Sequence, residues 1–249
     1  MLRFDPIGAM AHRVVAVGFA CLVGVAHADL TVPAGGSYDL AGGSTDLGCT
    51  DVIVGGTLSL SGGTLTNVRN VIIAAGGVIN AAGSITLSGD WSNAGTFNAA
   101  TGSVSFVDAA GCATTGTVTG NTNFYKLSMV TSSGKLYRFA AGSSQRVGGT
   151  LTMVGYGAPI RIESTVSGTF ANIDATILQN MANLAVRDMS ANGEWIAQGL
   201  TNQAAGAQVY RWFGFPSVPV NSPALLIGIV LLLLLFGRSA LNKHRRARH

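Results

Sequence analysis

Short apolar stretches recur along the middle of the chain, and each alternates apolar with small polar residues. This period of two is typical of half-buried β-strands. Seven such stretches predict strands, at 57–60, 71–73, 84–87, 103–107, 124–127, 150–153 and 160–162. Gly-Gly pairs at 55–56, 62–63, 76–77 and 148–149 predict tight turns between them. Helical periodicity is absent, so we expect an all-β domain.

Two all-β architectures fit this pattern. One is a sandwich of the immunoglobulin type, and the other is a β-solenoid of stacked coils. The strands are very short, and asparagines that could stack in ladders stand beside the turns (Asn67, Asn70, Asn80, Asn93 and Asn98). Successive strands begin 13, 14 and 19 residues apart, at Leu58, Val71, Ile85 and Val104, which is too irregular for a strict short repeat. We therefore predict an irregular right-handed parallel β-helix over residues 52–213, preceded by an N-terminal cap over 29–51.

The first 28 residues have the layout of a secretory signal peptide. Arg3 and Arg13 supply a positive n-region, Val14 to Val25 form an apolar helix, and Ala26-His27-Ala28 is an A-x-A cleavage site. An uncleaved anchor is the alternative, but twelve apolar residues are too few to span a bilayer. Cys21 suggests a lipoprotein less well, because the bulky Phe19 stands where small residues are usual. We predict signal peptidase cleavage before Asp29.

The C-terminus has three consecutive parts. A Pro-rich segment over 214–223 leads into an apolar segment over 224–237, which we predict to be a transmembrane helix, and a basic tail follows over 238–249. Fourteen apolar residues cover about 21 Å, less than a hydrocarbon core of roughly 30 Å. Positive charges beside a membrane helix favour the cytoplasmic side. Five residues would therefore set the topology: Arg238, Lys243, Arg245, Arg246 and Arg248.

The charge distribution argues against nucleic-acid binding. The chain has a formal net charge of +4, but residues 29–223 contain ten acidic and eight basic residues. The positive excess thus lies at the two ends, whereas nucleic-acid binding requires a basic patch on the folded domain.

The same domain contains no histidine, because His12, His27, His244 and His249 all lie near the termini. This excludes histidine general bases, Ser-His-Asp triads and histidine-ligated zinc. Asp39, Asp46 and Asp51 lie close together in the sequence but lack the spacing of a calcium loop. We predict no catalytic site, no metal and no cofactor.

Cys49 and Cys112 are the two thiols of the predicted mature domain. Export would place them in an oxidising compartment, where a disulfide can form. Sixty-three residues correspond to about three coils, hence roughly 14 Å along the solenoid axis, whereas a disulfide requires Cα atoms within about 7 Å. Pairing would therefore require the segment before Thr57 to fold back as a cap, and it stays open on these grounds.

The C-terminal layout resembles the sorting signals of exosortase substrates, the PEP-CTERM group of Gram-negative bacteria. Val218-Pro219 and Ser222-Pro223 before the helix are similar to a VP–SP variant, although no Glu follows Pro219. The stretches 89–98, 102–106, 123–127 and 170–196 resemble coils of secreted haemagglutinin-like and pectin-lyase-like β-helix proteins. The alternative for the tail is a plain membrane anchor.

These resemblances imply an exported, non-enzymatic structural or adhesive protein of the cell surface. Its expected partners are the Sec translocon, signal peptidase, an exosortase-like membrane protease and the inner membrane, with extracellular polysaccharide as a further candidate. The alternative is a carbohydrate-binding or carbohydrate-active β-helix protein. Sugar binding would need Tyr125, Tyr137 or Tyr156 exposed on one strand face.

Overall fold

A computed structural model describes residues 28–175 and 178–214 of the chain. Twenty β-strands lie in these ranges. They are β1 (Leu30–Val32), β2 (Ser37–Asp39), β3 (Ser44–Val54), β4 (Thr57–Ser59), β5 (Thr64–Ile73), β6 (Val78–Asn80), β7 (Ser84–Leu87), β8 (Trp91–Asn93), β9 (Thr96–Asn98), β10 (Ser103–Phe106), β11 (Thr115–Thr119), β12 (Thr122–Thr131), β13 (Leu136–Phe139), β14 (Ser144–Gly155), β15 (Ile160–Ser164), β16 (Ala171–Ala175), β17 (Gln179–Ala182), β18 (Leu184–Arg187), β19 (Met189–Ala191) and β20 (Val209–Tyr210). All seven strands predicted from the sequence are confirmed.

The strands form a parallel β-solenoid of about nine turns. Each coil passes through three sides in the same order. Side 1 begins with β2, β4, β6 and β9. Side 2 contains the first part of β3 and of β5, followed by β7, β10 and the second part of β12. Side 3 contains β1, the second part of β3 and of β5, then β8, β11, β13, β15 and β18. We number the coils from the N-terminus, so that coils 1 to 5 cover 37–54, 57–73, 78–93, 96–119 and 122–139.

The length of the coils explains why no fixed period is visible in the sequence. On side 2, register pairs join Leu65, Ile85, Val104, Leu127, Leu151 and Gln179 in succession. The chain therefore advances 20, 19, 23, 24 and 28 residues per coil along this side. The shorter steps read from the sequence compared strands on different sides of the solenoid.

The core is the interior of the coils, where one residue type repeats from coil to coil. Leu65, Ile85 and Val104 are fully buried or nearly so and stack directly above one another. Because Cβ atoms alternate between the two faces of a strand, the small polar residues between them point outward. The strands SITL and SVSF accordingly share one alternating burial pattern.

Asparagine ladders join coils at the surface, as the sequence predicts. On side 1 the Asn98 Nδ2 donates to Asn80 Oδ1 at 2.9 Å, and the Asn80 Nδ2 donates to Ser59 Oγ at 3.3 Å. Asn67 instead donates to the carboxylate of Asp46 at 2.8 Å. The corner amides thus satisfy one another between neighbouring coils.

Two local expectations differ from the structure. The boundary between the predicted cap and the solenoid lies inside β3, so residues 30–54 already form coil strands. The pair Gly148-Gly149 is not a turn but lies inside β14, where one extra residue on that strand shifts the register against β12. Gly149 is needed there because the ring of Tyr125 lies against its Cα.

Within the described ranges, no helix is long and apolar enough to span a membrane. The signal helix over 1–27 and the membrane helix over 224–237 lie outside these ranges and stay predictions.

Candidate functional site

The corner between sides 2 and 3 differs sharply from coil to coil. Three residues join β7 to β8 in coil 3, and four join β12 to β13 in coil 5. Coil 4 uses eight residues, 107–114, between β10 and β11. We call this longer segment the strap. It contains one of the two predicted cysteines.

The strap reaches back toward the N-terminal end of the solenoid. Cys112 of the strap is joined to Cys49 of coil 1, with the two Cα atoms 5.8 Å apart. Cys49 lies in β3 at a register shift and has a φ of 69°, which turns its side chain outward at the corner. The segment before Thr57 does not fold back, contrary to the geometry expected from the sequence. The strap itself spans the distance, because its extra residues supply the reach.

Strap and corner also meet at coil 3, which lies between the two cysteines. The Ser88 hydroxyl donates to Cys112 Sγ at 2.8 Å. A Cβ on Gly89 would lie 3.3 Å from the Ala113 methyl group and 2.7 Å from the carbonyl oxygen of Arg69. The absent side chain at Gly89 therefore allows the strap to lie close against the corner.

Asp108 holds the beginning of the strap on coil 5. Its carboxylate accepts hydrogen bonds from the backbone N–H groups of Ser132 and Ser133, at 2.8 and 3.0 Å. The hydroxyls of Thr131, Ser132 and Ser133 donate to the same carboxylate. Burial raises the pKa of Asp108, but these donors outweigh it, so the pKa lies below its ordinary value. Asp108 thus stays ionised at neutral pH.

Lys135 holds the two ends of the strap from below. Its side chain is buried, with 3% exposed, and Nζ donates to three backbone carbonyl oxygens. They belong to Val107 at 3.2 Å, to Ala113 at 2.8 Å and to Ser88. Burial lowers the pKa of Lys135, and the charges of Asp108 and Asp90 oppose that shift. A buried ammonium group whose three protons all find acceptors is a structural cation.

A carboxylate and amide ladder continues the same corner through coils 1 to 4. The N–H of Asp51 donates to Asp29 Oδ1 at 2.9 Å, and the N–H of Asn70 donates to Asp51 Oδ1 at 3.2 Å. Next, the N–H of Asp90 donates to Asn70 Oδ1 at 2.7 Å, and that of Thr117 to Asp90 Oδ1 at 2.7 Å. Each acceptor therefore satisfies a backbone donor of the following coil.

Asp51 carries the one ion pair found among the described residues. Arg69 Nε and Nη2 each donate to one carboxylate oxygen at 2.8 Å. The hydrogen bond from Arg69 is the main reason that the pKa of Asp51 lies below its ordinary value. Asp39 and Asp46, the other two members of the acidic group in the sequence, accept N–H groups two residues further on, from Ala41 and Gly48.

A cavity of about 460 Å³ lies beside the strap, lined by Asp108, Gly111, Ser133, Lys135 and Arg161 among others. The carboxylate and the ammonium of this wall already have protein partners, so they brace the corner. Across residues 28–175 and 178–214, no group of three His, Cys, Asp or Glu side chains is arranged to hold a metal ion.

The predicted site residues have different outcomes. The sorting motif (Val218, Pro219, Ser222 and Pro223) and the topology residues lie outside the described ranges. Tyr137, one of three tyrosines considered for sugar binding, is fully buried, where its ring packs edge-on against Phe106 with centroids 5.6 Å apart. Tyr125 and Tyr156 are exposed, but they lie on β12 and beyond the end of β14. The three rings do not share one face.

Sequence reasoning missed Asp108 and Lys135. One signal was present, because the strap sequence Val107-Asp-Ala-Ala-Gly-Cys-Ala-Thr114 is an unusually long interval of small residues between two strands. Nothing in the sequence connects that interval to Lys135, which lies one coil later.

No protein-family model matches the chain. A search of curated proteins likewise found no match. No solved structure matches it either.

Proposed function

We propose that this chain is an exported, non-enzymatic protein of the Gram-negative cell envelope, with a structural or adhesive role at the surface. The observation that carries the proposal is the use of its polar side chains. In coils 1 to 5 the carboxylates of the corner and the buried ammonium bind neighbouring coils. Side chains spent in this way make a rigid, continuous rod, which suits a spacer or matrix component.

The absence of enzymatic activity is part of the proposal. A general acid or base must reach the substrate proton within hydrogen-bond distance. Asp51 and Asp108 are each surrounded by protein donors, and Lys135 is buried beneath the strap. These three groups therefore serve cohesion between coils rather than chemistry.

Export and sorting complete the proposal. The Sec translocon and signal peptidase would handle residues 1–28, and segment 224–237 would anchor the chain in the inner membrane until an exosortase-like protease reads residues 218–223. The right-handed winding of the solenoid belongs to the proposal as well, because parallel crossover connections are right-handed in nearly all proteins.

The C-terminus of surface material tests the sorting step. Pro219→Ala with Pro223→Ala should leave membrane insertion intact but block release, so that full-length protein accumulates in the inner membrane. Pro216→Ala, outside the motif, is the matched control and should be processed normally. Mass spectrometry of protein collected from the cell surface should find a C-terminus before residue 224. Intact His249 in that material would contradict sorting and favour a plain anchor.

A second candidate function is carbohydrate binding at the C-terminal coils. A cavity of about 350 Å³ is lined by the half-buried Trp195 with Glu194 and Gln198, and an aromatic face beside polar groups suits a sugar ring. Titration with polysaccharide should then quench tryptophan fluorescence, and Trp195→Ala should abolish that response. An unchanged spectrum at saturating polysaccharide would reject this candidate.

A further inference from the structure

The strap joins coils that are not neighbours in the solenoid. In a solenoid each coil contacts the next, so stability is a sum of nearest-neighbour terms and the terminal coils open first. The link between Cys49 and Cys112 connects coil 1 to coil 4 directly and encloses 63 residues. Coils 2 and 3 lie inside this closed loop.

The strap is also fixed at its base, independently of the cysteines. Asp108 binds the corner of coil 5 through Ser132 and Ser133, and Lys135 of coil 5 binds Val107 and Ala113 of the strap. These contacts place Cys112 beside Ser88 of coil 3. The base therefore presents the Cys112 thiol toward the N-terminal corner once coil 5 has formed.

We propose that the strap is an oxidation-set clasp that makes coils 1 to 4 open as one cooperative block. In closing, the thiols of Cys49 and Cys112 lose two protons and two electrons, and one S–S bond forms. An envelope protein disulfide accepts both electrons and leaves as its dithiol. With the thiols reduced, the base of the strap persists, but coil 1 is held by coil 2 alone.

The clasp stands apart from the proposed export pathway, because it concerns how the coils open and not where the protein resides. A protein that is never sorted could still have a working clasp. Failure of the clasp would equally leave the sorting experiment unaffected.

Hydrogen exchange of the full chain in detergent, followed by mass spectrometry, tests the clasp. The reporters are side-3 strand segments of coils 1, 2 and 3, at 52–54, 71–73 and 91–93. In oxidised protein we expect their exchange rates to agree within about threefold, because the block opens as a unit. After reduction, the coil 1 segment should exchange at least roughly tenfold faster than the coil 3 segment.

Two variants make the test specific. Cys49→Ala with Cys112→Ala should reproduce the graded pattern without reductant. Ser88→Ala removes the hydroxyl beside Cys112 but keeps both cysteines, and it should retain the oxidised pattern. The reduced wild type serves in place of the double variant if that variant does not fold.

Three results would overturn the clasp. One is identical exchange before and after reduction. Another is a graded loss of protection from coil 1 to coil 3 while the disulfide is intact by non-reducing peptide mapping. The last is loss of protection on reduction that extends to β15 and β18, since the clasp leaves those coils independent.

Discussion

At the residue scale, polar side chains on the solenoid corner replace the contacts that a longer strand would have made. Lys135 is the clearest case, because its Nζ satisfies carbonyl oxygens of Ser88, Val107 and Ala113 that belong to two other coils. An unsatisfied buried carbonyl costs about 1–3 kcal/mol. A single cation therefore stabilises an irregular segment that has no strand partners of its own.

Lys135→Met should destabilise the protein by about 2 kcal/mol, since the apolar chain fills the space but leaves the carbonyls without a donor. Thermal unfolding followed by circular dichroism should show a midpoint lower by about 4–8 °C. Lys126→Met is the matched control, because Lys126 is exposed and its ammonium lies over the ring of Tyr125. Equal midpoints for the two variants would contradict the structural role of Lys135.

Asp108 predicts a specific acid sensitivity. Its folded-state pKa lies below that of the unfolded chain, so its contribution is complete above about pH 4 and is lost as the pH falls through the folded value. Asp108→Asn should lower the unfolding midpoint at pH 7, and the gap from wild type should narrow below pH 4. Glu194→Gln, at an exposed carboxylate, should change the midpoint little at pH 7. A gap that stays constant with pH would argue against an ionised Asp108.

At the element scale, glycine sets how closely successive coils approach. At the corner between sides 1 and 2, Gly43, Gly63 and Gly83 lie directly above one another. The N–H of Thr64 donates to the Gly43 carbonyl at 2.9 Å, and the N–H of Ser84 donates to the Gly63 carbonyl at 3.0 Å. A Cβ at the next position would enter the space that the preceding carbonyl occupies. The glycine content is therefore a requirement of coil stacking.

Gly83→Ala should destabilise the protein by about 1–3 kcal/mol, because the new methyl group meets the Gly63 carbonyl and the backbones must separate. Gly148→Ala is a suitable control, since its nearest atom would be the Phe124 carbonyl oxygen at an ordinary 3.9 Å. Chemical denaturation of both variants gives the comparison. A loss at Gly148 as large as that at Gly83 would show that general chain stiffness, and not stacking, is responsible.

At the scale of the whole molecule, the solenoid separates the two predicted membrane-directed ends. The described coils begin at Leu30, directly after the predicted cleavage site, and continue to Trp212, directly before the Pro-rich segment. Asp29 already takes part in the corner ladder through its bond to the N–H of Asp51. The first residue of the predicted mature chain would therefore belong to coil contacts.

Cleavage before Asp29 should leave the folded coils intact. N-terminal sequencing or mass spectrometry of protein from the envelope should find Asp29 as the first residue, because the A-x-A site ends at Ala28. Ala26→Leu with Ala28→Leu should block processing, whereas Ala11→Leu, outside the site, should not. Detection of Met1, or of a lipid on Cys21, would contradict this prediction.

The sequence by itself determined the strands and their faces. Alternation in segments such as Ser84–Leu87 places every second side chain inside, and that relation depends on neighbouring residues alone. It also excluded histidine chemistry from residues 29–223, since composition does not depend on folding.

Only the tertiary structure decided what those strands pack against. Register between coils depends on residues about 20 apart, and coils of unequal length hide that relation from any fixed-period reading. The strap shows this most clearly. Cys49, Asp108 and Lys135 come from coils 1, 4 and 5, and they meet because an eight-residue corner turns back along the axis. Distance along the chain predicted a separation of about 14 Å between the cysteines, because it counted coils and could not include the path of the loop.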